Sequence, residues 1–163
     1  MAEDMPLPIS AAEERRRWRR IERLAKKLGF EGEVEYRHTL SRTGGAQYQI
    51  GPTAERDRLV VFARAFERDA DPEDFSLPAI LAHERGHQLL VRHSRMRIFL
   101  DRWQGPAAEE IMASVVGSLL VTRKKDQQDL MDKAVEEALR NGIEADDAVW
   151  LVTELFVKFK EIL

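Results

Sequence analysis

Cysteine is absent from the 163 residues of this chain, and so is any long apolar run. Without cysteine there are no disulfides, and a metal ion would have to be held by nitrogen and oxygen ligands. A membrane-spanning helix needs about 20 consecutive apolar residues, a length that no segment approaches. The N-terminus has acidic residues and prolines where a secretion signal has a basic start and an apolar core. These absences predict a cytoplasmic protein that does not enter the membrane.

The balance of residue types is that of an ordinary globular chain. Hydrophobic residues make up 44% and charged residues 34% of the sequence, and the net charge is −3. The length fits one domain that is large enough for a core of its own, and there is no internal repeat. A slightly acidic chain has no overall attraction for nucleic acid, so direct nucleic-acid binding is not expected from the net charge.

The five residues His83-Glu84-Arg85-Gly86-His87 carry the clearest chemical signal. Ser76 stands at an N-cap position and Pro78 falls in the first turn, which predicts a helix over about 77–92. On a helix the two histidines lie on one face, where both imidazoles can reach a single zinc ion. Glu84 then lies beside them as the general base for a water molecule at the metal. Two ordinary core histidines with an exposed glutamate between them are the alternative interpretation.

A catalytic zinc site needs a third protein ligand, and the best candidate opens the next helix. Gly105-Pro106 predicts a break followed by a helix over about 107–121. One side of that helix is made of small residues apart from a glutamate: Glu110, Ala113, Ser114 and Gly117. Such a side would let the helix approach the motif helix closely and would point Glu110 toward the metal.

Three other residues are weaker candidates for the third ligand. Glu109, about 100° away from Glu110 on the helix, is the alternative on the same element. The pair could instead only complement the helix dipole. His93 would face away from His87 on a continued helix, and Asp101 lies in a mixed basic and aromatic stretch with no supporting pattern.

These residues resemble the gluzincin pattern of zinc peptidases, in which HExxH is followed on a second helix by a Glu-x-x-Ala-Asn/Asp run. The matching runs here are His83-Glu84-x-x-His87 and Glu110-Ile-Met-Ala113-Ser114. With Leu81-Ala82, Leu89-Leu90 and Leu119-Leu120 around them, residues 58–121 are most similar to the ImmA/IrrE family. Its members are small bacterial and phage zinc peptidases, several of which cleave transcriptional repressors.

The resemblance implies a zincin-like minimal metallopeptidase domain. Its fold would be α+β, with a small, mostly antiparallel sheet packed on the HExxH helix and flanking helices. Its site would hold Zn²⁺ through His83, His87 and Glu110, with Glu84 as the catalytic base of a metalloendopeptidase. The substrate would be a peptide bond in a protein such as a transcriptional repressor. The alternative function is a metal-stabilised regulatory or binding protein with a peptidase-like fold and no turnover.

A basic run, Arg15-Arg16-Arg17-Trp18-Arg19-Arg20, falls in a helix predicted over 10–29. Ser10 and Glu13 form a capping box, and Gly29 ends the helix. Apolar residues recur on one side at helical spacing, at Trp18, Ile21, Ala25 and Leu28. This pattern favours an amphipathic helix with its apolar side on the core and its arginines in water. A nucleic-acid module is the alternative, and it would show steeply salt-dependent DNA binding.

The β portion is predicted over residues 33–66. Segments 33–40 and 46–50 are expected to pair through a hairpin turn at Thr43-Gly44-Gly45. Leu59-Val60-Val61-Phe62-Ala63 is the strongest strand signal in the chain.

A sheet edge beside the metal is the expected place for a peptide substrate. Zinc peptidases commonly bind substrate as an added strand, and strand 59–66 or its neighbour is expected to form that edge. His38 and Tyr48 fall on strands, where packing is the expected role, and neither receives a site role.

Two further helices are predicted at the C-terminal end, separated by Asn141-Gly142. The last helix carries apolar residues on more than one side, so a homodimer or partner surface and coverage by the rest of the domain are both open. The expected layout is one domain over 1–163, with a flexible start at 1–9, a helix at 10–29, a sheet at 33–66, metal-binding helices at 76–122 and a helical cap at 126–163.

Overall fold

The computed structural model describes residues 5–41, 44–67 and 75–163. In these ranges the chain is α+β, with six α-helices and three strands. The elements are α1 (Ala11–Lys27), β1 (Glu33–Arg37), β2 (Ala46–Gln49), β3 (Arg58–Phe62), α2 (Leu77–Arg92), α3 (Ser94–Arg102), α4 (Pro106–Leu120), α5 (Lys124–Arg140) and α6 (Ala145–Ile162). Residues 1–4 of the predicted flexible start, and Thr43 of the predicted turn, lie outside the described residues.

Backbone contacts divide the chain into two compact units, Met1–Leu81 and Ala82–Leu163, with the boundary inside α2. Each unit has a hydrophobic core of its own. Among the residues that the structure describes, none of the helices combines the length and apolarity that a membrane span requires.

Helix α1, Ala11–Lys27, lies within the predicted range of 10–29, and the signals predicted for its two ends are present. Ser10 Oγ accepts a hydrogen bond from the N–H of Glu13 at 3.1 Å, and the chain leaves the helix through Gly29, whose φ is +77°. That left-handed backbone is one that glycine adopts without strain. Ile21 and Ala25 are buried in the core as predicted, whereas Trp18 remains 41% exposed. The helix therefore turns an apolar side inward and a charged side to solvent.

The sheet is mixed, which corrects the expectation of a mostly antiparallel one. The strand order is β1-β3-β2, with β1 parallel and β2 antiparallel to β3. The predicted hairpin between 33–40 and 46–50 is therefore wrong, because β3 lies between the two strands. Burial explains the order: Leu59, Val60 and Val61 are at most 1% exposed, and the central position covers the most apolar strand on both sides.

The position of β3 also decides between the two expectations for the sheet edge. Strand 59–66 does not form an edge, since β3 pairs on both sides and the chain continues after it as a short 3-10 helix, Ala63–Ala65. The edges belong to its neighbours, β1 and β2.

Helix α4 is the most deeply buried helix of the second unit. Nine of its 15 residues are buried, and α5 and α6 pack against it. The C-terminal helices predicted over 126–163 are confirmed as α5 and α6, which are separated at Gly142 with a φ of +86°. Helix α3 was not predicted, because arginines interrupt the apolar spacing in its sequence and only Met96 is buried.

Candidate metal centre

Helix α2 brings its two histidines together through local structure alone. Ser76 Oγ accepts a hydrogen bond from the N–H of Ala79 at 3.2 Å, so the predicted N-cap is present and the helix has the predicted bounds. Four residues make slightly more than one helical turn, which places His87 next to His83. The ring centroids are 4.8 Å apart, and the two Nε2 atoms are 3.2 Å apart.

Helix α4 supplies a carboxylate to this pair. Gly105, with a φ of +119°, leads into Pro106 at the start of the helix, as the sequence predicts. Glu110 follows about one turn later and bridges both rings. Its Oε2 atom is 3.0 Å from His83 Nε2, and its Oε1 atom is 3.1 Å from His87 Nε2.

Two glycines allow α2 and α4 to approach at backbone contact. A Cβ atom added to Gly86 would lie 2.3 Å from the carbonyl oxygen of Ala113 on α4. In the reverse direction, a Cβ atom on Gly117 would lie 3.0 Å from the backbone of Ala82 on α2. The predicted close approach along the small side of α4 is therefore present, and it sets the distance from Glu110 to the histidines.

Each histidine has a second partner at its other ring nitrogen. His83 Nδ1 is 3.0 Å from Ser114 Oγ, and His87 Nδ1 is 3.1 Å from Glu109 Oε1. When the Nδ1–H groups donate to these oxygens, the Nε2 lone pairs are left unprotonated and converge on one point. Such outer partners fix the ring orientation and tautomer of histidines that bind metals.

The two histidines differ sharply in acidity. Burial lowers the pKa of His83 to about 4, so that its ring is neutral at physiological pH. Burial also opposes a charge on His87, but hydrogen bonds to Glu109 and Glu110 outweigh it and raise the pKa of His87 to about 10. Hydrogen bonds from His83 and His87 hold the pKa of Glu110 well below its ordinary value. Without a metal, a charged His87 and an ionised Glu110 thus neutralise each other.

Two further charges act on the histidines. Glu84 is half-buried, and its negative charge contributes to the raised pKa of His87. Lys133, a half-buried residue of α5, acts in the opposite direction, since its positive charge contributes to the lowered pKa of His83. The predicted base therefore lies within electrostatic reach of the histidine pair.

The three inner side chains fit a metal ion by chemistry and by spacing. One ligand atom from each of His83, His87 and Glu110 lies within 4.8 Å of the other two, so the group could hold a metal. Two ligands at about 2.0–2.1 Å from a tetrahedral zinc are about 3.4 Å apart. The measured separations of 3.0 to 3.2 Å between the facing atoms are close to that value. Two imidazoles and a carboxylate are also a ligand set that zinc uses in catalytic sites.

The other candidates from the sequence lie elsewhere. His93 precedes α3 at its N-cap, and Asp101 is exposed near the end of the same helix; neither joins the group that could hold a metal in the described residues. In the first unit, His38 contacts Tyr36 Oη and the carbonyl oxygen of Leu7, at 2.8 and 2.7 Å. Tyr48 donates to Asp57 at 2.7 Å. Tyr48 lies on β2 as predicted, whereas His38 follows the end of β1, and both are engaged in hydrogen bonds within their own unit.

Sequence reasoning missed the roles of Gly86 and Ser114 and gave Glu109 a different one. Glu109 was the alternative ligand, but it contacts the outer nitrogen of His87. A signal for Ser114 was present, because it lies four residues after Glu110, the same spacing as between the two histidines. When two helices pack side by side, residues four positions apart on one helix face residues four positions apart on the other.

The chain was compared with protein-family models, with curated proteins and with solved structures. No protein-family model, no curated protein and no solved structure matches the chain. The structure by itself defines a protein with a partly buried His-His-Glu group, on two closely packed helices, that could hold a metal ion.

Proposed function

We propose that this chain is a zinc-dependent metallopeptidase of the gluzincin type, similar to the ImmA/IrrE family. The observation that carries the proposal is the convergence of His83 Nε2, His87 Nε2 and the Glu110 carboxylate, with 3.0 to 3.2 Å between the facing atoms. Glu84 directly follows His83 in the sequence, which is the position of the general base in HExxH metalloproteases.

Zinc is the metal that this ligand set favours. Nitrogen from two histidines and oxygen from one glutamate are the ligands of several catalytic zinc sites, while the hard ions Mg²⁺ and Ca²⁺ prefer oxygen alone. When bound, zinc supplies Lewis-acid chemistry that acidifies a water molecule and polarises a peptide carbonyl. His83 and His87 would hold it through Nε2 and Glu110 through its carboxylate, while Ser114 and Glu109 contact the outer ring nitrogens of the two histidines.

Glu84 is the general base in the proposed reaction. Its carboxylate accepts a proton from the attacking water and then delivers that proton to the amine of the departing peptide segment. A base on α2 needs no separate loop to position it, because the same helix that holds the two histidines also holds Glu84. The pKa effect of Glu84 on His87 supports its proximity to the inner group.

Solvent access supports a catalytic rather than a purely structural site. The His83 and His87 side chains are 7% and 12% exposed, whereas the side chain of Glu110 is 43% exposed. The group is thus covered on the histidine side and open on the carboxylate side. Catalytic zinc sites keep a position for water or substrate, while structural sites are closed by a fourth protein ligand. For the substrate we propose a peptide segment of a protein, such as a transcriptional regulator.

Zinc content and peptide hydrolysis together test the proposal. The purified protein should contain one zinc per chain by elemental analysis and should cleave members of a peptide library. Glu84→Gln should retain zinc and lose at least 100-fold of the hydrolysis rate, in the range of a missing general base. Glu14→Gln, an equal change at an exposed residue of α1, serves as the control for charge.

The outcomes separate the two functions that the sequence left open. Stoichiometric zinc with no hydrolysis of any peptide would favour the metal-stabilised regulatory protein. Hydrolysis by Glu84→Gln at the wild-type rate would show that Glu84 is not the base. Loss of zinc from His87→Ala, with zinc retained in Glu84→Gln and Glu14→Gln, would identify His87 as a ligand.

A further inference from the structure

The exposed side of α1 carries a concentrated positive charge. Helix α1 contains eight basic and three acidic residues, a net charge of +5, while the rest of the chain has 18 basic and 26 acidic residues, a net charge of −8. Seven of the basic side chains are exposed and form what we call the basic face: Arg15, Arg16, Arg19, Arg20, Arg23, Lys26 and Lys27. Positive charge is thus concentrated on one helix of an acidic protein.

Helical geometry makes the basic face continuous. At about 100° per residue, its seven members fall within an arc of about 140°, and no acidic residue lies inside that arc. Ile21, buried on the opposite side, anchors the helix to the core of its unit. From Arg15 to Lys27 the face extends about 18 Å along the helix axis.

Most of the basic face has no protein partner. Arg16 forms an ion pair with Glu13. The side chains of Arg15, Arg19, Arg20 and Arg23 form no hydrogen bond or ion pair with any residue that the structure describes. A surface depression of about 470 Å³ is lined by Ala12 and by four arginines of the basic face, Arg15, Arg16, Arg19 and Arg23. The sequence alone favoured arginines that only contact water. The unpaired arginines and the depression between them now favour the alternative, a surface that binds an anion.

We infer that the basic face of α1 binds the phosphate backbone of double-stranded DNA. Duplex DNA carries one negative charge per about 1.7 Å of axis, so the 18 Å of the face would run beside about ten phosphates. Five of the seven cations are arginines, whose planar guanidinium groups match phosphate oxygens in pairs.

The structure favours DNA over two other polyanions. An amphipathic helix that binds a membrane must offer its apolar side to the lipid, but Ile21 and Ala25 on that side of α1 are at most 2% exposed. The basic face covers about 140° of the helix, so it reaches the phosphates on both sides of a groove when the helix lies in that groove. The major groove of B-DNA is about 12 Å wide and admits a helix, whereas that of A-form RNA is too narrow and deep.

Fluorescence anisotropy with a labelled 20-base-pair duplex of arbitrary sequence tests the inference on the full chain. If about four cations engage phosphates, the affinity should fall roughly 100-fold between 50 and 200 mM NaCl. Arg19→Gln with Arg23→Gln should weaken binding at least tenfold at 50 mM NaCl and reduce the slope of log affinity against log salt by about 2. Glutamine keeps helix propensity near that of arginine, so α1 should remain folded.

The matched control removes the same charge from another exposed helix. Arg95→Gln with Arg97→Gln, on α3, should leave duplex binding within about twofold of wild type. A second pair on the basic face, Arg15→Gln with Lys26→Gln, repeats the test if the first pair does not fold. Helical circular dichroism and zinc content should be the same in all variants.

Three outcomes would overturn the inference. The first is no duplex binding at 50 mM NaCl, and the second is an equal loss for the α1 and α3 pairs, which would show an effect of net charge alone. The third is binding to vesicles of phosphatidylserine and phosphatidylcholine without binding to the duplex, which would make the surface a membrane contact.

Discussion

Replacing Gly86 by alanine should weaken metal binding more than it weakens the fold. The new Cβ atom would lie 2.3 Å from the carbonyl oxygen of Ala113, whereas ordinary contacts of this kind begin at 3.4 Å. The neighbour is the backbone of α4, which cannot rotate away, so the two helices must separate by about 1 Å. Glu110 lies one turn earlier on α4 and would move away from His83 and His87 with it.

Two opposing terms set the effect on stability. Overpacking of this size costs about 1–3 kcal/mol, while the better helix propensity of alanine returns about 1 kcal/mol. We therefore expect a net loss of about 1 kcal/mol in the free energy of unfolding of the metal-free protein. A metal site tolerates displacements of only about 0.5 Å, so zinc affinity should fall by roughly 10- to 100-fold.

Zinc affinity would be measured by competition with a chromophoric chelator, and stability by urea unfolding in EDTA. Gly117→Ala is the graded comparison, because its Cβ atom would meet the backbone of Ala82 at 3.0 Å and needs a smaller shift. The effect of Gly117→Ala should have the same sign and be smaller. Wild-type zinc affinity in Gly86→Ala would refute the argument that helix separation sets the geometry of the site.

Two other predictions concern the ring nitrogens of the histidines. Ser114→Ala should lower zinc affinity by roughly 10- to 100-fold by leaving His83 Nδ1 without its partner, whereas Ser118→Ala, which removes a buried hydroxyl bonded to its own helix, should not. Equal zinc affinities in a chelator competition would contradict this. Because the pKa of His87 is raised to about 10, its charged form stabilises the metal-free fold below pH 6.5, and this stability is lost as the pH rises through about 10. The EDTA-treated protein should unfold at less urea at pH 10 than at pH 7, and zinc binding at pH 7.5 should release about one proton in calorimetry across buffers. Zero proton release would show that His87 is neutral.

The parts of the site that the sequence predicted depend on local signals. The bounds of α2 followed from Ser76 and from apolar spacing, and the start of α4 followed from Gly105-Pro106. Once both helices were assigned, the small side chains on one side of α4 were enough to orient Glu110. Helix caps and periodicity act over a few residues, which is why one sequence contained this information.

The parts that the sequence did not predict depend on contacts between distant segments. The turn residues before β2 suggested a hairpin, but β3, which is separated from β1 by the 20 residues 38–57, pairs with both strands. The strand order depends on which strand is apolar enough to be buried in the central position, and local turn signals carry no information about this. The contact between Ser114 and His83 likewise depends on how α4 is rotated relative to α2. Gly86 allows this arrangement because it has no Cβ atom to collide with the backbone of α4.

Among the described residues, the three inner side chains of the candidate ion position and their two outer partners lie on two helices, α2 and α4. In each helix they occupy no more than two turns. A designed pair of helices with the same crossing distance, and with glycine at the two points of closest approach, would therefore carry the full set of donors onto an unrelated scaffold. Such a design would not need the sheet or α1, because the metal-binding side chains and their hydrogen-bond partners are contained in the helix pair.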